Sequence, residues 1–261
     1  MTTDKDWDRW GLSSPYYGVL SDKRFRDKNL SEDALEQFFA SGEAHVVDVF
    51  RQVEMIGGSA FHPVRVLDFG CGVGRLTIPL SKRAIAVTGM DVSPAMLQEA
   101  ERNCAMHTSG NVSLVKSDDG LSQAFGEFDL VHSFIVLQHI RWGRGEQIIT
   151  KLAQRVSPNG YLAIQFYTLS NLRALVRGLV RLRYVIPPVN WVRNVLRRRP
   201  AFEQAMQLHI YSLPKILRIL RTNGFPNASL SLDSEAAGGY ESVFLIARRT
   251  YGDAGIRNPL S

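Results

Sequence analysis

One segment of the chain constrains its fold more than any other: an apolar strand that runs directly into a glycine-rich turn and then a helix. The segment, residues 64–75, reads VRVLDFGCGVGR. Its glycines allow a tight turn and let a ligand approach the backbone, because no Cβ atom stands in the way. A second apolar stretch ends at Asp91, where a carboxylate would reach the two hydroxyls of a ribose. Together they predict a nucleotide-binding α/β fold.

Apolar strands alternate with helical stretches along most of the chain, which is the pattern of a parallel sheet built from βαβ units. Strands are predicted at 64–69, 86–90, 112–116, 128–136, 161–166, 229–232 and 242–247, and helices at 74–83, 94–106, 147–156 and 213–223. Ser93 followed by Pro94 is a typical helix start, and residues 157–160 form a typical turn. We predict a seven-stranded, mostly parallel sheet with helices on both faces.

The rest of the chain adds an N-terminal helical cap and a helical insert after the fifth strand. The predicted divisions are 1–62 as a helical lid, 63–168 as the nucleotide-binding core, 169–208 as a basic insert, 209–249 as the C-terminal part of the core and 250–261 as a tail. Turn residues between 11 and 18 predict an irregular start to the lid. Ser31 is expected to cap the helix that follows.

The net charge of +6 is concentrated in one segment. Residues 147–202 contain ten Lys and Arg and no Asp or Glu, which leaves −4 for the remainder. On either side of Pro187 and Pro188, apolar and basic residues recur at helical spacing and predict two basic amphipathic helices. The repeating arginines are Arg173, Arg177 and Arg181 in the first stretch and Arg193 and Arg197 in the second, beside Val192, Val195 and Leu196.

Three interpretations of this basic insert remain open. A membrane surface or a lipid-linked acceptor fits, because Tyr184 and Trp191 suit the headgroup boundary. A phosphorylated or uronic-acid-bearing glycan fits, because guanidinium groups bind phosphate and carboxylate through two hydrogen bonds. A solvated face or an oligomer contact is the third. Nucleic acid is not expected, because the sequence has no recognisable RNA- or DNA-binding module.

The cysteines and the start of the chain bear on location. Cys71 and Cys104 cannot build a disulfide framework or a cysteine-rich zinc site, so no metal is expected. The sequence has no apolar run of membrane-spanning length, and the start MTTDKDWDRW is polar and acidic. We expect a soluble cytoplasmic protein, at the inner face of the membrane if the basic insert binds lipid.

The glycine spacing also bears on the ligand. The turn reads G-x-G-x-G after Asp68, whereas dinucleotide sites use G-x-G-x-x-G and hold a pyrophosphate at the helix end. A carboxylate at Asp68 would repel phosphate and suits a ligand with an amino or cationic group. The chain resembles the class I S-adenosylmethionine (SAM) dependent methyltransferases of small-molecule type over about residues 60–168. The matching segments, in order, are VLDFGCGVGRLTIPL, TGMDVSPAMLQEA, VKSDDG, FDLVHSFIVLQHI and SPNGYLAIQ.

The resemblance implies a Rossmann-like fold, SAM as cofactor, S-adenosylhomocysteine as product, and a set of cofactor-binding residues. These are Asp68, Gly70, Cys71 and Gly72 at the methionine end, Asp91 and Val92 at the ribose, Asp118 and Asp119 at the adenine, and Ser133 and Phe134 at the sulfonium and methyl group. Cys71 is assigned packing only, without catalysis. Asp118 and Asp119 are also compatible with a simple turn before Gly120.

Relatives often carry a lid at the N-terminus, and Tyr16 and Tyr17 are predicted to close over the methionine end with their hydroxyls near its carboxylate. Aromatic packing in a surface turn is the alternative. His139 is the candidate general base, against a histidine that only hydrogen-bonds the sheet end. His209 and Tyr211 are acceptor-binding or core residues.

The function predicted on these grounds is SAM-dependent methyl transfer to a small-molecule or glycan-like acceptor at oxygen. Three alternatives are kept: a noncatalytic SAM-binding or scaffold protein that works through its arginines, a methyltransferase for a lipid acceptor at a membrane surface, and an NAD-type dehydrogenase.

Overall fold

The computed structural model describes residues 3–171, 186–197, 199–233 and 239–250. Its strands are β1 (Arg65–Phe69), β2 (Ala86–Asp91), β3 (Val112–Lys116), β4 (Phe128–Ser133), β5 (Val156–Ser170), β6 (Ala228–Asp233) and β7 (Tyr240–Arg248). They form one sheet in the order β3-β2-β1-β4-β5-β7-β6, in which β7 pairs antiparallel with both of its neighbours. The predicted seven-stranded, mostly parallel sheet is confirmed.

Helices cover both faces of this sheet. They are α1 (Thr3–Ser13), α2 (Pro15–Val19), α3 (Glu32–Gly57), α4 (Thr77–Ser81), α5 (Pro94–His107), α6 (Trp142–Gln154), α7 (Pro187–Leu196) and α8 (Leu213–Thr222). Short 3-10 helices lie at Lys23–Phe25, Asp27–Asn29 and Leu137–His139. None of the helices in the part of the chain that the structure describes is long and apolar enough to cross a bilayer.

The core has two layers because neighbouring strand residues point to opposite faces of the sheet. On β1, Val66 packs with buried valines of α3, and Leu67 packs with the layer formed by α6 and α8. A third buried cluster lies within the N-terminal segment, where Trp10 and Phe38 pack against Met96 of α5. The lid is therefore joined to the core through α5.

The predicted helix starts are confirmed. The Ser93 hydroxyl accepts a hydrogen bond from the Met96 N–H at 3.1 Å, with Pro94 in the first turn of α5. The Ser31 hydroxyl accepts from the Ala34 N–H at 3.2 Å at the start of α3. Each bond satisfies a backbone donor that the helix itself leaves unpaired.

The irregular start predicted for the lid is wrong. Residues 3–13 form α1, and Gly11 lies inside it rather than in a turn. A Cβ atom at Gly11 would come within 2.9 Å of Ala95 and of the Ser93 hydroxyl. Glycine is required there because α1 crosses the start of α5 at close range. A single sequence does not distinguish this use of glycine from a turn.

Strand and helix ends differ from the prediction where the backbone leaves regular geometry. Helix α4 begins later than residue 74, because Gly70, Gly72 and Gly74 all have positive φ and extend the turn. Strand β4 ends at Ser133, since Ile135 has a φ of 61°. The turn predicted at 157–160 is absorbed into β5, where the register with β4 shifts.

Only part of the basic insert can be compared with its prediction. The second predicted helix is confirmed as α7. The first, with Arg173, Arg177 and Arg181, and the tail after residue 250 lie outside the described residues.

Candidate active site

A cleft opens at the carboxyl-terminal edge of the sheet, between β1 and β4, where the strand order reverses. In open α/β sheets, ligands bind at this switch point. The cleft encloses about 820 Å³ of atom-free space, its open mouth included. The sequence-predicted residues that line it are Gly70, Gly72, Asp91, Val92, Asp118, Asp119, Phe134 and His139. Helices α1 and α2 cover it through Asp4, Trp7, Gly18 and Val19.

Asp91 joins the two strand ends that form the cleft floor. One carboxylate oxygen accepts from the Gly72 N–H at 3.0 Å, and the other accepts from the Ser93 N–H at 2.9 Å. The Val92 N–H is a third backbone donor to this carboxylate, so one of its about four acceptor positions remains for a ligand hydroxyl. Burial raises the pKa of Asp91 to about 6, against the opposing effect of these backbone donors.

The glycine turn lies directly beneath the cleft. The N–H groups of Gly70 and Cys71 both donate to the Met90 carbonyl, at 2.7 and 2.9 Å, which ties the turn to β2. A Cβ atom at Gly72 would meet Val19 of the lid at 2.6 Å, and one at Gly70 would collide with Val136. Glycine at these two positions therefore lets the turn pack closely against both cleft walls.

Asp118 and Asp119 stand at the far end of the cleft, after β3, and both are exposed. The Asp118 carboxylate accepts from the Ser122 N–H at 3.0 Å and from the Ser122 hydroxyl, and these bonds lower its pKa. Asp118 thus caps a turn and lines the cleft at once, so the two interpretations of this segment are compatible.

Arg144 links the far end of the cleft to the lid. Its Nε donates to both oxygens of Asp119, at 2.8 and 2.9 Å, and its two terminal nitrogens donate to Asp4 of α1, at 2.7 and 3.0 Å. The sequence analysis missed this contact, because the three residues are 25 and 140 positions apart. No short-range pattern in a single sequence indicates a bridge of this kind.

His139 is buried and faces the cleft. Its Nδ1 lies 2.8 Å from the Gln207 carbonyl oxygen, and its ring packs edge-on against Trp7 with centroids 4.9 Å apart. Because a carbonyl only accepts, Nδ1 carries the proton and Nε2 holds a lone pair in the neutral ring. Burial lowers the pKa of His139 to about 4, so the ring is neutral at pH 7.

The structure places Tyr16 and Tyr17 away from the cleft wall. The Tyr16 hydroxyl donates to Glu99 of α5 at 2.7 Å, and the Tyr17 ring packs beneath the Arg26 guanidinium at 4.0 Å. The two rings form the interior of the lid, since α2 turns Gly18 and Val19 toward the cleft instead. A hydroxyl engaged with α5 does not point at a ligand carboxylate.

Asp68, Cys71 and Ser133 are also buried behind the cleft surface. Asp68 shares the sheet face of Val66, so its carboxylate accepts from the Thr77 hydroxyl at 2.7 Å and from His132 Nδ1 at 3.2 Å. The Ser133 hydroxyl donates to the Phe69 carbonyl at 2.9 Å. Burial raises the pKa of Cys71 well above its usual value, which leaves the thiol protonated and suited to packing.

Behind the cleft lies a second feature that the sequence analysis missed. His132 Nε2 lies 3.0 Å from His45 Nε2 on α3, and the His45 ring packs on Phe134 with centroids 3.9 Å apart. Burial lowers the pKa of His45 to about 2. The pair joins two elements 87 residues apart, so neither histidine is recognisable from local sequence.

Tyr211 is a core residue in the structure. Its buried hydroxyl donates to the carbonyl oxygens of Leu137 and Ile140, at 2.8 and 2.7 Å. These bonds hold the 3-10 helix that carries His139. The backbone N–H of His209 donates to the Gln138 carbonyl at 2.7 Å, which fixes the same segment from the other side.

Comparison with known proteins finds similarity in the central part of the chain. Residues 66–160 match the family model described as a methyltransferase domain. The mitochondrial ubiquinone biosynthesis O-methyltransferase of Schizosaccharomyces pombe is 27% identical over 121 residues, which are 46% of this chain and 42% of that protein. The chloroplastic magnesium protoporphyrin IX methyltransferase of Arabidopsis thaliana is 37% identical over 91 residues, 34% of this chain and 29% of that protein. The matches thus span less than half of these relatives.

A solved structure shows the likeness over nearly the whole chain. The magnesium protoporphyrin IX methyltransferase from Synechocystis, crystallised with bound SAM, superposes with a TM-score of 0.60 at 20% identity. The superposition covers 96% of this chain and 98% of that one. At this identity the likeness shows the fold alone, which is Rossmann-like.

Proposed function

We propose that the chain is a SAM-dependent methyltransferase that acts at oxygen on a small-molecule acceptor, because residues 66–160 match the methyltransferase-domain family model and similar proteins are methyltransferases. The observation that carries the proposal is Asp91, which holds the glycine turn at the switch point and keeps an acceptor position for a ribose hydroxyl.

The chemistry of the cleft fits SAM in two respects. Gly70 and Gly72 line the cleft and carry no Cβ atoms, which would collide with Val136 and Val19, so this part of the cleft wall is bare backbone. The acidic side chains of the described lining are Asp4, Asp91, Asp118 and Asp119, and Arg144 is already paired with two of them. Such a cleft favours a cation and opposes the pyrophosphate of NAD.

SAM supplies an activated methyl group on a positively charged sulfonium and leaves S-adenosylhomocysteine. The side chains of the cleft would bind SAM and orient its methyl group. Asp91 would accept a hydrogen bond from the ribose and Asp118 one from the adenine amino group, and Phe134 would lie beside the sulfonium. Positioning of this kind supplies about 7 to 11 kcal/mol of barrier reduction in well-oriented reactions.

His139 would remove the proton of an acceptor hydroxyl. Its Nδ1–H is held by the Gln207 carbonyl, so the lone pair is on Nε2, and Tyr211 fixes the 3-10 helix beneath it. A neutral ring is the state that a base requires. The name of the Schizosaccharomyces pombe relative, an O-methyltransferase, supports oxygen as the methylated atom. A glycan-like acceptor stays a prediction.

A labelled-methyl assay tests the proposal. The protein is incubated with methyl-labelled SAM and a panel of a ubiquinone precursor, magnesium protoporphyrin IX, simple phenols and carboxylic acids. We expect label in at least one oxygen acceptor, with one S-adenosylhomocysteine released per methyl group. Binding of SAM without release of S-adenosylhomocysteine across the panel would favour the noncatalytic SAM-binding alternative.

A further inference from the structure

Helix α7 buries its polar face and exposes its apolar one. Asn190 and Asn194 are only 6% and 2% exposed, and their amides donate to the backbone carbonyls of Glu203 and Ala201 at 2.8 to 3.1 Å. A helix on the surface of a globular protein normally does the reverse. These polar contacts attach α7 to the loop that follows it, and they leave its apolar side chains on the outward face.

The outward face is a continuous apolar surface, which we call the α7 patch. It consists of Ile186, Trp191, Val192, Val195, Leu196 and Phe202. Val192 and Val195 are 61% and 60% exposed, Leu196 is 79% exposed, and the Trp191 ring packs edge-on against Phe202 at 5.1 Å. Exposed apolar residues that cluster in this way mark an interaction site.

Two arginines lie beside the C-terminal end of the α7 patch. Arg197 is exposed next to Leu196, and Arg199 is partly exposed and pairs with Glu203 at 3.5 Å. In sequence, the residues that precede α7, 172–185, contain four arginines and no acidic residue. An apolar face with a tryptophan and a basic border complements one kind of surface in particular: the headgroup boundary of an anionic bilayer.

We propose that the α7 patch docks on an anionic phospholipid surface. The apolar side chains enter the headgroup boundary, and the arginines pair with lipid phosphates and carboxylates. The proposal concerns where the protein binds and is independent of the methyl-transfer reaction. It identifies lipid, rather than a second protein chain, as the occupant of the patch.

Co-sedimentation of the full chain with vesicles tests the proposal. Vesicles of phosphatidylcholine alone are compared with vesicles that also contain phosphatidylserine, at low and high salt. We expect stronger binding to the anionic vesicles and weaker binding as salt rises, because exposed charges are screened over about 10 Å at 0.1 M. Arg197→Gln should lower the partition coefficient about five-fold.

The apolar half of the α7 patch is tested with Val192→Ser, Val195→Ser and Leu196→Ser combined. Serine is similar to valine in helix propensity and only slightly poorer than leucine, so α7 should remain helical. We expect at least about a ten-fold loss of vesicle binding. The matched control combines Ile85→Ser and Leu232→Ser, which are 70% and 79% exposed but lie outside the patch, and it should bind vesicles like the unaltered protein.

Three results would overturn the proposal. One is equal binding of the unaltered protein to neutral and anionic vesicles. Another is a concentration-dependent dimer that the triple variant abolishes, since a second copy would then cover the patch. The third is a lower free energy of unfolding in the triple variant with no vesicle binding by the unaltered protein, because the patch would then contribute to the stability of the folded chain and not to lipid binding.

Discussion

We propose His139 as the general base, and its removal should then affect the chemical step alone. The Nδ1–H is committed to Gln207, which leaves Nε2 to receive a proton. We expect His139→Gln to lower kcat by roughly 10² to 10⁴ while the dissociation constant of SAM changes little. The control is His107→Gln, on the last turn of α5, which should keep full activity. Unchanged kcat in His139→Gln would leave positioning as the mechanism.

His45 should make the protein sensitive to acid. Its folded-state pKa is lowered to about 2 by burial, whereas an unfolded histidine has a pKa near 6.5. Below pH 6.5, His45 is therefore protonated in the unfolded chain but not in the folded one. The free energy of unfolding decreases as the pH is lowered. Asp91, whose pKa is raised to about 6, acts in the opposite direction.

Comparison of the unaltered protein with His45→Phe isolates the contribution of His45 to the pH dependence of stability. We expect the unfolding free energy lost between pH 7 and pH 5 to be smaller in His45→Phe by about 1 to 2 kcal/mol. Phenylalanine keeps a ring against Phe134 and Phe244. Urea unfolding at the two pH values measures the difference. Equal losses in both proteins would show that His45 takes up its proton without unfolding.

The residues that the sequence could predict are those with a local signature. Gly70, Gly72 and Asp91 line the cleft as expected, because a strand, a turn and the end of the next strand fix their positions within about twenty residues. Tyr16 could not be placed in this way. Its hydroxyl is engaged by Glu99, 83 residues away, and that contact depends on how α2 packs on α5.

At the scale of elements, one guanidinium ties α1 to the far end of the cleft. Arg144 holds Asp4 of α1 and Asp119 beyond β3 together. We expect Arg144→Gln to weaken this closure and to raise the dissociation rate of SAM about two- to five-fold, since partly exposed ion pairs are worth about 0.5 to 1 kcal/mol. Stopped-flow measurement of SAM release tests this expectation.

The control for Arg144→Gln is Arg51→Gln, which removes an exposed ion pair with Asp48 on α3. It should leave the release rate of SAM unchanged. A release rate in Arg144→Gln equal to that of the control would show that α1 stays closed without the bridge.

Strands and helices such as β1 and α5 were predictable because their apolar residues recur with the period of the backbone. Features that depend on how closely two segments of the chain pack together were not predictable. Helix α1 contains Gly11 because its backbone crosses α5, and the face that α7 buries is set by its bonds to Ala201 and Glu203. Periodicity indicated a helix after Pro188, but it did not indicate that the polar face would be the buried one.

The whole molecule divides its charge between an acidic cleft and a basic segment. Residues 147–202 carry all of the excess positive charge, while the described cleft lining is mainly acidic. The loop after α7 connects the two regions, since Glu203 accepts from Arg26 of the lid at 2.7 Å and Gln207 holds His139 at 2.8 Å. The mostly parallel sheet was predictable because strands and helices alternate along the chain. The connection through the loop after α7 was not predictable.

The identity of the cofactor is the central claim, and a thermal-shift series with SAM, S-adenosylhomocysteine and NAD tests it directly. At about 100 times its dissociation constant, a ligand adds about 2.7 kcal/mol of stability, which is roughly 5 to 10 °C in Tm for a chain of this size. We expect such a shift with SAM and its product, and none with NAD. Asp91→Ala should weaken SAM binding by about 1 to 3 kcal/mol, Asp91→Asn by less, and the exposed Asp48→Ala not at all. A shift with NAD instead of SAM, or an Asp91→Ala variant that binds SAM as tightly as the unaltered protein, would contradict the account.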